Sequence, residues 1–359
     1  MRSADVFALG EEATKDTFLG RSVEMQFLRS RLCDSKSPCR LSVTGISLVG
    51  KSSLIHKFEL EELGQLTNIL TVSTTMYATN AVDFFRGIFD KMKESIQSNA
   101  NLKDTLLDAA VAEMDKVDFS QEDTYFYPYM HILDKILKRV HTLKFKVVLS
   151  IDGYDNAAEV FKDKRQYFAL LKEMTCNQYY NVSLIVISRQ QADMIEQEAI
   201  PNAKNYAPLY ARLEPFHVND FSNDDMVEYY QRLQEFVPSL TPSLEQKLEH
   251  YAGRNPYLLS YFGREIVKRS REPQSVDETA LQEIREAGRH TITNYYNILR
   301  QHLEDIQCLN KLLAVLFEGN WERDEALYTL QDLHYLDEGK TSICPDFMEY
   351  LKGIYSPGQ

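Results

Sequence analysis

The chain has 359 residues, of which 44% are hydrophobic and 26% charged, a composition typical of one large globular domain or two to three smaller ones. No apolar run approaches the roughly 18 residues that span a membrane, and the first five residues lack the apolar core of a signal peptide, so we expect a cytoplasmic protein. The formal net charge of −13 disfavours broad binding to nucleic acids, and the five scattered cysteines, with no C-x-x-C pair, indicate neither a zinc site nor a disulfide framework.

The first predicted elements lead up to a buried strand. Residues 1–17 are polar and predict a loose lead-in or a short helix. The sequence Phe-Leu-Gly-Arg follows at 18–21, and Ser22 is typical of an N-cap for a helix with apolar residues at helical spacing over 27–32. The apolar run 40–44 then predicts the first strand.

A phosphate-binding pattern follows this strand directly. Residues 45–52 match G-x-x-x-x-G-K-[ST] and precede a predicted helix at 53–58. The glycines allow the backbone to curl around phosphate groups, and the start of the helix faces the anion. Lys51 would reach the β- and γ-phosphates, and the Ser52 hydroxyl would coordinate Mg²⁺. We therefore predict nucleotide contacts from Gly45, Ser47, Val49, Gly50, Lys51, Ser52 and Ser53.

Strands alternate with helices up to Pro215, which predicts parallel βαβ units and a sheet covered on both faces. Beyond that residue the strand signals disappear and helices dominate. The further strands are predicted at 69–74, 146–151, 182–187 and 212–215, and the helices among them at 82–97, 102–116 and 129–141. The later helices are predicted at 222–236, 242–251, 256–270 and 277–300, before a short helix–turn–ribbon pattern from 301.

Two acids follow the third predicted strand in the sequence Asp152-Gly153-Tyr154-Asp155. In phosphoryl-transfer sites an acid at this end of a strand holds Mg²⁺, often through water, and a second acid orients or deprotonates the attacking water. Asp152 is therefore the candidate metal ligand and Asp155 the candidate base. Taken alone, D-G-x-D also suits an ordinary turn.

Two further sequences carry an ordinary alternative as well. Arg189 follows the fourth strand, where a cation is suited to stabilising charge on a γ-phosphate, although a surface arginine at a strand end explains it too. Gly253 and Pro256 lie between two predicted helices, where a helix stop and a helix start account for both.

Together these sequences resemble the STAND class of P-loop ATPases, close to its archaeal-type ATPase and NACHT branches. The resemblance rests on Phe-Leu-Gly-Arg at 18–21 followed by Glu24, the phosphate loop, Ile-Asp-Gly-Tyr-Asp at 151–155 and Ile-Ser-Arg at 187–189. Gly-x-x-Pro at 253–256 is similar to the Gly-x-Pro element of the family, and the sequence from Leu336 to Leu351 to its winged-helix module.

The resemblance implies an α/β fold with a parallel five-stranded sheet of order 5-1-4-3-2, followed by a helical lid and a winged helix. The change in sequence character after Pro215 places boundaries near 216 and 300, so these three modules correspond to 18–216, 217–300 and 301–359, after the lead-in at 1–17. The resemblance also adds Gly20, Arg21 and Pro256 to the residues near the nucleotide, with ATP or ADP as the ligand and Mg²⁺ as the cofactor. Such proteins are slow ATPases that act as switches and self-associate on ATP, commonly in signalling or defence, including bacterial anti-phage defence.

The chain departs from the pattern of the family at two positions. The family often has Asp-Glu where this chain has Asp155-Asn156, so one candidate base is missing and rapid turnover is not expected. The spacing of Gly253 and Pro256 is one residue longer than in the Gly-x-Pro element, which puts contacts of Pro256 in doubt.

The C-terminal region is acidic for a DNA-binding module. From Asn320 onward there are eight Asp or Glu against three Lys or Arg, and the predicted recognition helix at 322–328 carries three acids. Such a surface repels phosphate groups. A role within the ATPase is therefore favoured over DNA recognition.

Three functions remain open from the sequence. The first is a nucleotide-controlled switch that self-associates and acts on an effector or sensor carried by another chain or by a further part of a longer protein. The second is a DNA-associated AAA+ ATPase, such as an origin initiator or a transposition regulator. The third is a scaffold that binds a nucleotide without hydrolysing it.

Overall fold

The computed structural model describes residues 7, 17–35, 37–78, 80–119, 122–201, 207–238, 240–271, 276–333, 335–337, 340–341 and 344–355. By its contacts the chain divides into two compact units. The sheet unit comprises Val23–Thr44 and Leu54–His217, and the loop unit comprises Met1–Ser22, Gly45–Ser53 and Val218–Gln359.

Five parallel strands form the sheet of the sheet unit. They are β1 (Arg40–Thr44), β2 (Ile69–Thr75), β3 (Lys146–Asp152), β4 (Val182–Ile187) and β5 (Glu214–His217). Their order is β2-β3-β4-β1-β5, so the predicted order 5-1-4-3-2 and the predicted α/β fold are confirmed.

The burial of each strand follows from its place in the sheet. Strands β3 and β4 are buried along almost their whole length, because helices cover both faces of a parallel sheet. The edge strand β5 is only partly buried and contains Pro215, a residue without an N–H group that sheets tolerate mainly at edges.

Helices connect these strands. They are α1 (Ser22–Leu32), α2 (Lys51–Glu61), α3 (Ala81–Ser98), α4 (Thr105–Met114), α5 (Glu122–Thr142), α6 (Ala157–Val160), α7 (Arg165–Cys176) and α8 (Ala192–Ala199). Helix α5 begins seven residues before the predicted start at 129 and contains Pro128 in its interior. Side chains of the strands and helices of this unit, such as Phe85 and Tyr167, form one continuous apolar core.

The residues after β5 form a second core that belongs to the loop unit. Its helices are α9 (Asn223–Gln234), α10 (Pro242–Ala252), α11 (Pro256–Arg269), α12 (Glu278–Ala287), α13 (Arg289–Asp305), α14 (Leu309–Glu318), α15 (Glu325–Asp332) and α16 (Pro345–Tyr355). Two short antiparallel strands, β6 (Leu336–Asp337) and β7 (Lys340–Thr341), precede α16. Phe7, from the predicted lead-in, is buried in this core, with its ring 5.3 Å from that of Tyr229.

The single helix predicted at 277–300 is wrong, because two helices, α12 and α13, occupy this stretch. They meet at Gly288, where a Cβ atom would overlap the ring of Tyr261. The boundary predicted near residue 300 falls inside α13. The recognition helix predicted at 322–328 begins instead at Glu325, because the carboxylate of Asp324 caps the N–H of Leu327.

Residues 1–6 and 8–16 of the predicted lead-in lie outside the described residues, as do residues 334, 338–339, 342–343 and 356–359 of the predicted winged helix. Among the helices that are described, none combines the length and the apolar character needed to cross a membrane.

Candidate functional site

The phosphate loop between β1 and α2 has the backbone that its glycines predict. Gly45 has φ 152° and Gly50 φ 96°, conformations that side-chain-bearing residues rarely adopt. At Gly45 an added Cβ atom would also overlap the carbonyl oxygen of Val218. Both glycines are therefore required by the backbone itself.

Lys51 holds the loop in its curled shape. Its ammonium group donates hydrogen bonds to the carbonyl oxygens of Gly45, at 2.7 Å, and Ile46, at 2.9 Å, and the side chain is buried. Helix α2 begins at this lysine and has no acidic residue in its first turn. The positive end of the helix dipole therefore has no carboxylate of its own helix beside it and remains available to an anion. Ser52 and Ser53 lie half-buried in the same turn.

Arg21 supports the loop from a second side. It is 2% exposed, and its guanidinium group donates a hydrogen bond of 2.8 Å to the carbonyl oxygen of Val49 while lying 5.1 Å from the ring centre of Phe221. Its backbone has φ 67°, which is unfavourable for a residue with a side chain. Strain of this kind persists only where surrounding contacts hold it, and it is concentrated at functional sites.

Asp225 provides that hold, and it is not among the site residues predicted from the sequence. Its carboxylate accepts the Arg21 N–H at 2.7 Å and the Ser222 N–H at 2.9 Å, and the side chain is buried. A Cβ atom on Gly20 would overlap this carboxylate, so Asp225 can lie beside the Arg21 N–H only because residue 20 is a glycine. The sequence Ser222-x-x-Asp225, a capping box at the start of α9, is the signal that could have found it.

Leu48 lies exposed in the phosphate loop with a backbone conformation that is unfavourable for leucine. It has φ 62° and is 41% exposed. The left-handed conformation destabilises the folded state by about 1–2 kcal/mol for a residue with a side chain. Glycine avoids this strain, but it loses more conformational entropy on folding, at a cost of about 0.5–1 kcal/mol. Leu48→Gly should therefore stabilise the protein by roughly 0.5–1 kcal/mol, a rise on the order of 1 °C in melting temperature. Leu60→Gly, at an exposed position inside α2, should lower the melting temperature; a fall for Leu48→Gly as well would contradict this account.

The acid pair lies at the carboxyl edge of the sheet. Asp152 is the last residue of β3, opposite Thr75 of β2, and its carboxylate accepts the N–H of Gly153 at 2.7 Å. Gly153 has φ 69°, and a Cβ atom there would lie 3.3 Å from the ring of Tyr77. The glycine of D-G-x-D is therefore needed to turn the chain directly after the acid.

Asp155 is bonded to the turn that carries Arg189. Both of its carboxylate oxygens accept the N–H of Arg189 at 3.0 Å, and one accepts the N–H of Gln190 at 3.1 Å. The Arg189 guanidinium lies 3.6 Å from the same carboxylate. The Ser188 hydroxyl closes the turn by donating to the carbonyl oxygen of Gln190 at 2.6 Å. The predicted base and the predicted γ-phosphate sensor thus form one hydrogen-bonded group.

The Gly-x-x-Pro sequence joins two helices of the loop unit. Gly253, with φ 58°, follows α10, and Pro256 is the first residue of α11. Between them the buried Asn255 caps α11 and donates to the carboxylate of Asp220 at 3.1 Å. Burial raises the pKa of that carboxyl, an effect partly opposed by the bond from Asn255 and the nearby Arg21. The predicted nucleotide contact of Pro256 stays a prediction.

The predicted residues therefore fall into two groups. In the loop unit, Arg21 and Lys51 bind the loop carbonyls of Gly45, Ile46 and Val49. At the carboxyl edge of the sheet, Asp152 ends β3, and Asp155 binds the turn of Arg189. Each group has cations, hydroxyls or carboxylates of the kinds that phosphate and Mg²⁺ bind.

Comparison with known proteins supports the fold. No protein-family model matches the chain, and no curated protein matches it in sequence. Among solved structures, the Walker-type ATPase paby2304 of Pyrococcus abyssi is similar with a TM-score of 0.60 and 16% identity, over 97% of this chain and 99% of that one. At this identity the likeness shows the fold: the chain has the fold of a Walker-type, P-loop ATPase.

Weaker similarities are to origin-recognition proteins of Aeropyrum pernix. The ORC2 protein in its ADPNP–ADP complexes gives a TM-score of 0.47 and 12% identity, over 98% of this chain and 97% of that one. The ORC1 protein in complex with DNA gives a TM-score of 0.45 and 15% identity, over 89% and 83%.

Proposed function

We propose that the chain binds ATP or ADP and hydrolyses ATP slowly. The observation that carries this proposal is the phosphate loop, in which buried Lys51 and Arg21 hold three loop carbonyls at the start of a helix without first-turn acids. Such a loop turns N–H groups and a helix dipole toward an anion. The description of the similar Pyrococcus abyssi protein as an ATPase supports the nucleotide as the ligand.

Magnesium is the proposed cofactor, with Ser52 and Asp152 as the side chains that would hold it. A hydroxyl and a carboxylate supply the oxygen ligands that Mg²⁺ prefers, together with water and phosphate oxygens. When bound, the ion would neutralise charge that develops on the β- and γ-phosphates. The residues of this chain then serve to place the nucleotide: Lys51 as a charge on the phosphates, and Arg189 as the proposed sensor of the γ-phosphate.

Titration of the purified chain with ATP, ADP, GTP and GDP, each with Mg²⁺ and with EDTA, tests this function. Binding of an adenine nucleotide, strengthened by Mg²⁺, is expected. A folded chain without affinity for any of these nucleotides would overturn the proposal. The identity of the nucleotide that co-purifies with the protein gives the resting ligand.

Hydrolysis depends, in this proposal, on the group formed by Asp155 and the Arg189 turn. Asp155→Ala removes the candidate base and the acceptor of three hydrogen bonds from two backbone N–H groups, so single-turnover hydrolysis should fall about 100-fold or more, the lower range for an acid–base group. Glu198→Ala, an exposed acid on α8, is the matched control. Unchanged hydrolysis in Asp155→Ala would remove this residue from the catalytic group, and no hydrolysis by the wild type would favour the scaffold function.

A switch that self-associates on ATP and controls an effector on another chain is the finer part of the proposal. We retain the predicted domains, with an ATPase core at 18–216, a helical lid at 217–300 and a winged helix at 301–359, although the boundary between the last two falls inside α13. The element order α14, α15, β6, β7, α16 supports the last of these. The molecular mass of the protein in solution, measured with ATP and with ADP, tests the switch. Equal masses in both would contradict self-association that depends on ATP.

A DNA-associated ATPase is the second candidate. Both candidates share the fold of the Walker-type ATPase, so the fold does not choose between them. The region after Asn320 in this chain has eight acids against three bases, which disfavours contact with DNA phosphates. Titration with duplex DNA at several salt concentrations separates the candidates, because tight binding with a steep salt dependence would establish the second.

A further inference from the structure

A buried carboxylate joins α2 to the two strands β2 and β3. Glu59 is 8% exposed, and its two oxygens each accept a hydroxyl hydrogen bond, one from Ser150 of β3 at 2.5 Å and the other from Ser73 of β2 at 2.8 Å. Its neighbours on the helix, Ile55 and Phe58, are buried apolar residues. An acid on an apolar helix face is the sequence signal for this cluster.

A carboxylate is an expensive way to fill such a position. Burying it costs several kcal/mol unless hydrogen bonds replace its hydration, and an apolar side chain of the same size packs a helix onto a sheet at no such cost. What the carboxylate adds is direction. Hydrogen bonds have a preferred geometry, so the two bonds of the carboxylate fix the position of α2 along the strand direction, whereas apolar burial is non-directional.

The residue whose position is fixed in this way is Asp152, the candidate metal ligand. Ser73 and Ser150 lie opposite each other in the sheet, and two residues further along the same strands Thr75 lies opposite Asp152. Side chains two apart in a strand share a face, so Ser150 and Asp152 lie on the face that Glu59 contacts, about 7 Å apart along β3.

We propose that Glu59 is a positioning residue for Asp152. Through its hydrogen bond with Ser150 it fixes the carboxyl end of β3 at one position along the axis of α2, the helix that continues from the phosphate loop. The inference rests on the proposed function, because it assigns Glu59 to the magnesium side of that site. It predicts that loss of the cluster weakens the effect of Mg²⁺ on nucleotide binding more than nucleotide binding itself.

The test compares ATP affinity with Mg²⁺ and with EDTA in the full chain. Glu59→Ala and Ser150→Ala should each reduce the Mg²⁺-induced gain in affinity at least about fivefold, while affinity in EDTA stays within about twofold. Ser73→Ala, on the strand without the acid, should have the smaller effect. Glu62→Gln is the control, because Glu62 pairs with the exposed Arg29 at the surface.

Each outcome decides between the proposals. If the variants melt at lower temperature but keep the full Mg²⁺ gain, the cluster is only structural and the inference is wrong. If Glu59→Ala does not fold, Ser150→Ala, which removes one hydroxyl and keeps the acid, decides the question. A wild type that binds ATP without any gain from Mg²⁺ overturns the roles of Asp152 and Glu59 but leaves nucleotide binding standing. A wild type that binds no nucleotide overturns the proposed function itself.

Discussion

Lys51→Ala is expected to cause the largest loss of ATP binding while the chain stays folded. The ammonium group is the charge that the phosphate loop offers to the β- and γ-phosphates, and charge-assisted hydrogen bonds are worth about 1.5–3 kcal/mol each. Losing the bonds to phosphate should weaken affinity by roughly 100-fold or more, since each 1.4 kcal/mol is about tenfold. Isothermal titration with ATP and Mg²⁺ measures the loss, and circular dichroism reports the fold.

The matched control is Lys57→Ala on the same helix. Lys57 lies within α2 and pairs with Glu61 one turn away at 3.4 Å, so its removal should change affinity by less than about twofold. Affinity for ATP that is unaltered in Lys51→Ala would contradict the assignment of the phosphate loop as the binding site.

Arg21→Ala should give the second largest effect, on stability and binding together. The substitution removes a buried guanidinium that is bonded to the Val49 carbonyl and lies over the ring of Phe221. Lost charge-assisted and cation–π interactions amount to about 2–4 kcal/mol, and they act on the loop itself. We expect a lower melting temperature and roughly tenfold weaker ATP binding, measured by thermal unfolding and by titration.

Two further variants separate the causes of that effect. Arg21→Lys keeps the charge but not the planar fork, so it should recover only part of the loss. Arg29→Ala, on an exposed arginine paired with Glu62 at the surface, should change the melting temperature and the affinity little. If Arg21→Ala binds ATP as the wild type does, Arg21 contributes to folding alone.

The sheet could be predicted from the sequence because its signals are local. Buried parallel strands are continuous apolar runs separated by helices, and all five lie within about two residues of their predicted bounds. The errors arise where distant contacts decide. The break between α12 and α13 reflects the close approach of Gly288 to Tyr261. Pro128 is a different case, because α5 passes through it although a proline usually marks a helix start.

The same distinction between local sequence signals and distant contacts applies to the candidate site. The phosphate loop and the acids of β3 are short patterns with fixed spacing, so the sequence shows them directly. The residues that support them do not: Asp225 meets Arg21 from 204 positions away, and Glu59 meets Ser150 from 91. A capping box marks Asp225 and an acid on an apolar helix face marks Glu59 as local features, and only the fold shows which distant partner each one contacts.

Pro215 limits how copies of this chain can pair through one edge of the sheet, that of β5. A strand added to an open sheet edge needs an unbroken row of backbone donors and acceptors, and proline interrupts the donors of β5 at the middle of a four-residue strand. Such an edge is a poor template for lengthening the sheet from one molecule into the next. In the proposed self-association on ATP, the β5 edge would then contribute side-chain surfaces rather than a backbone ladder, whereas β2, the other edge strand, contains no proline and is not limited in this way.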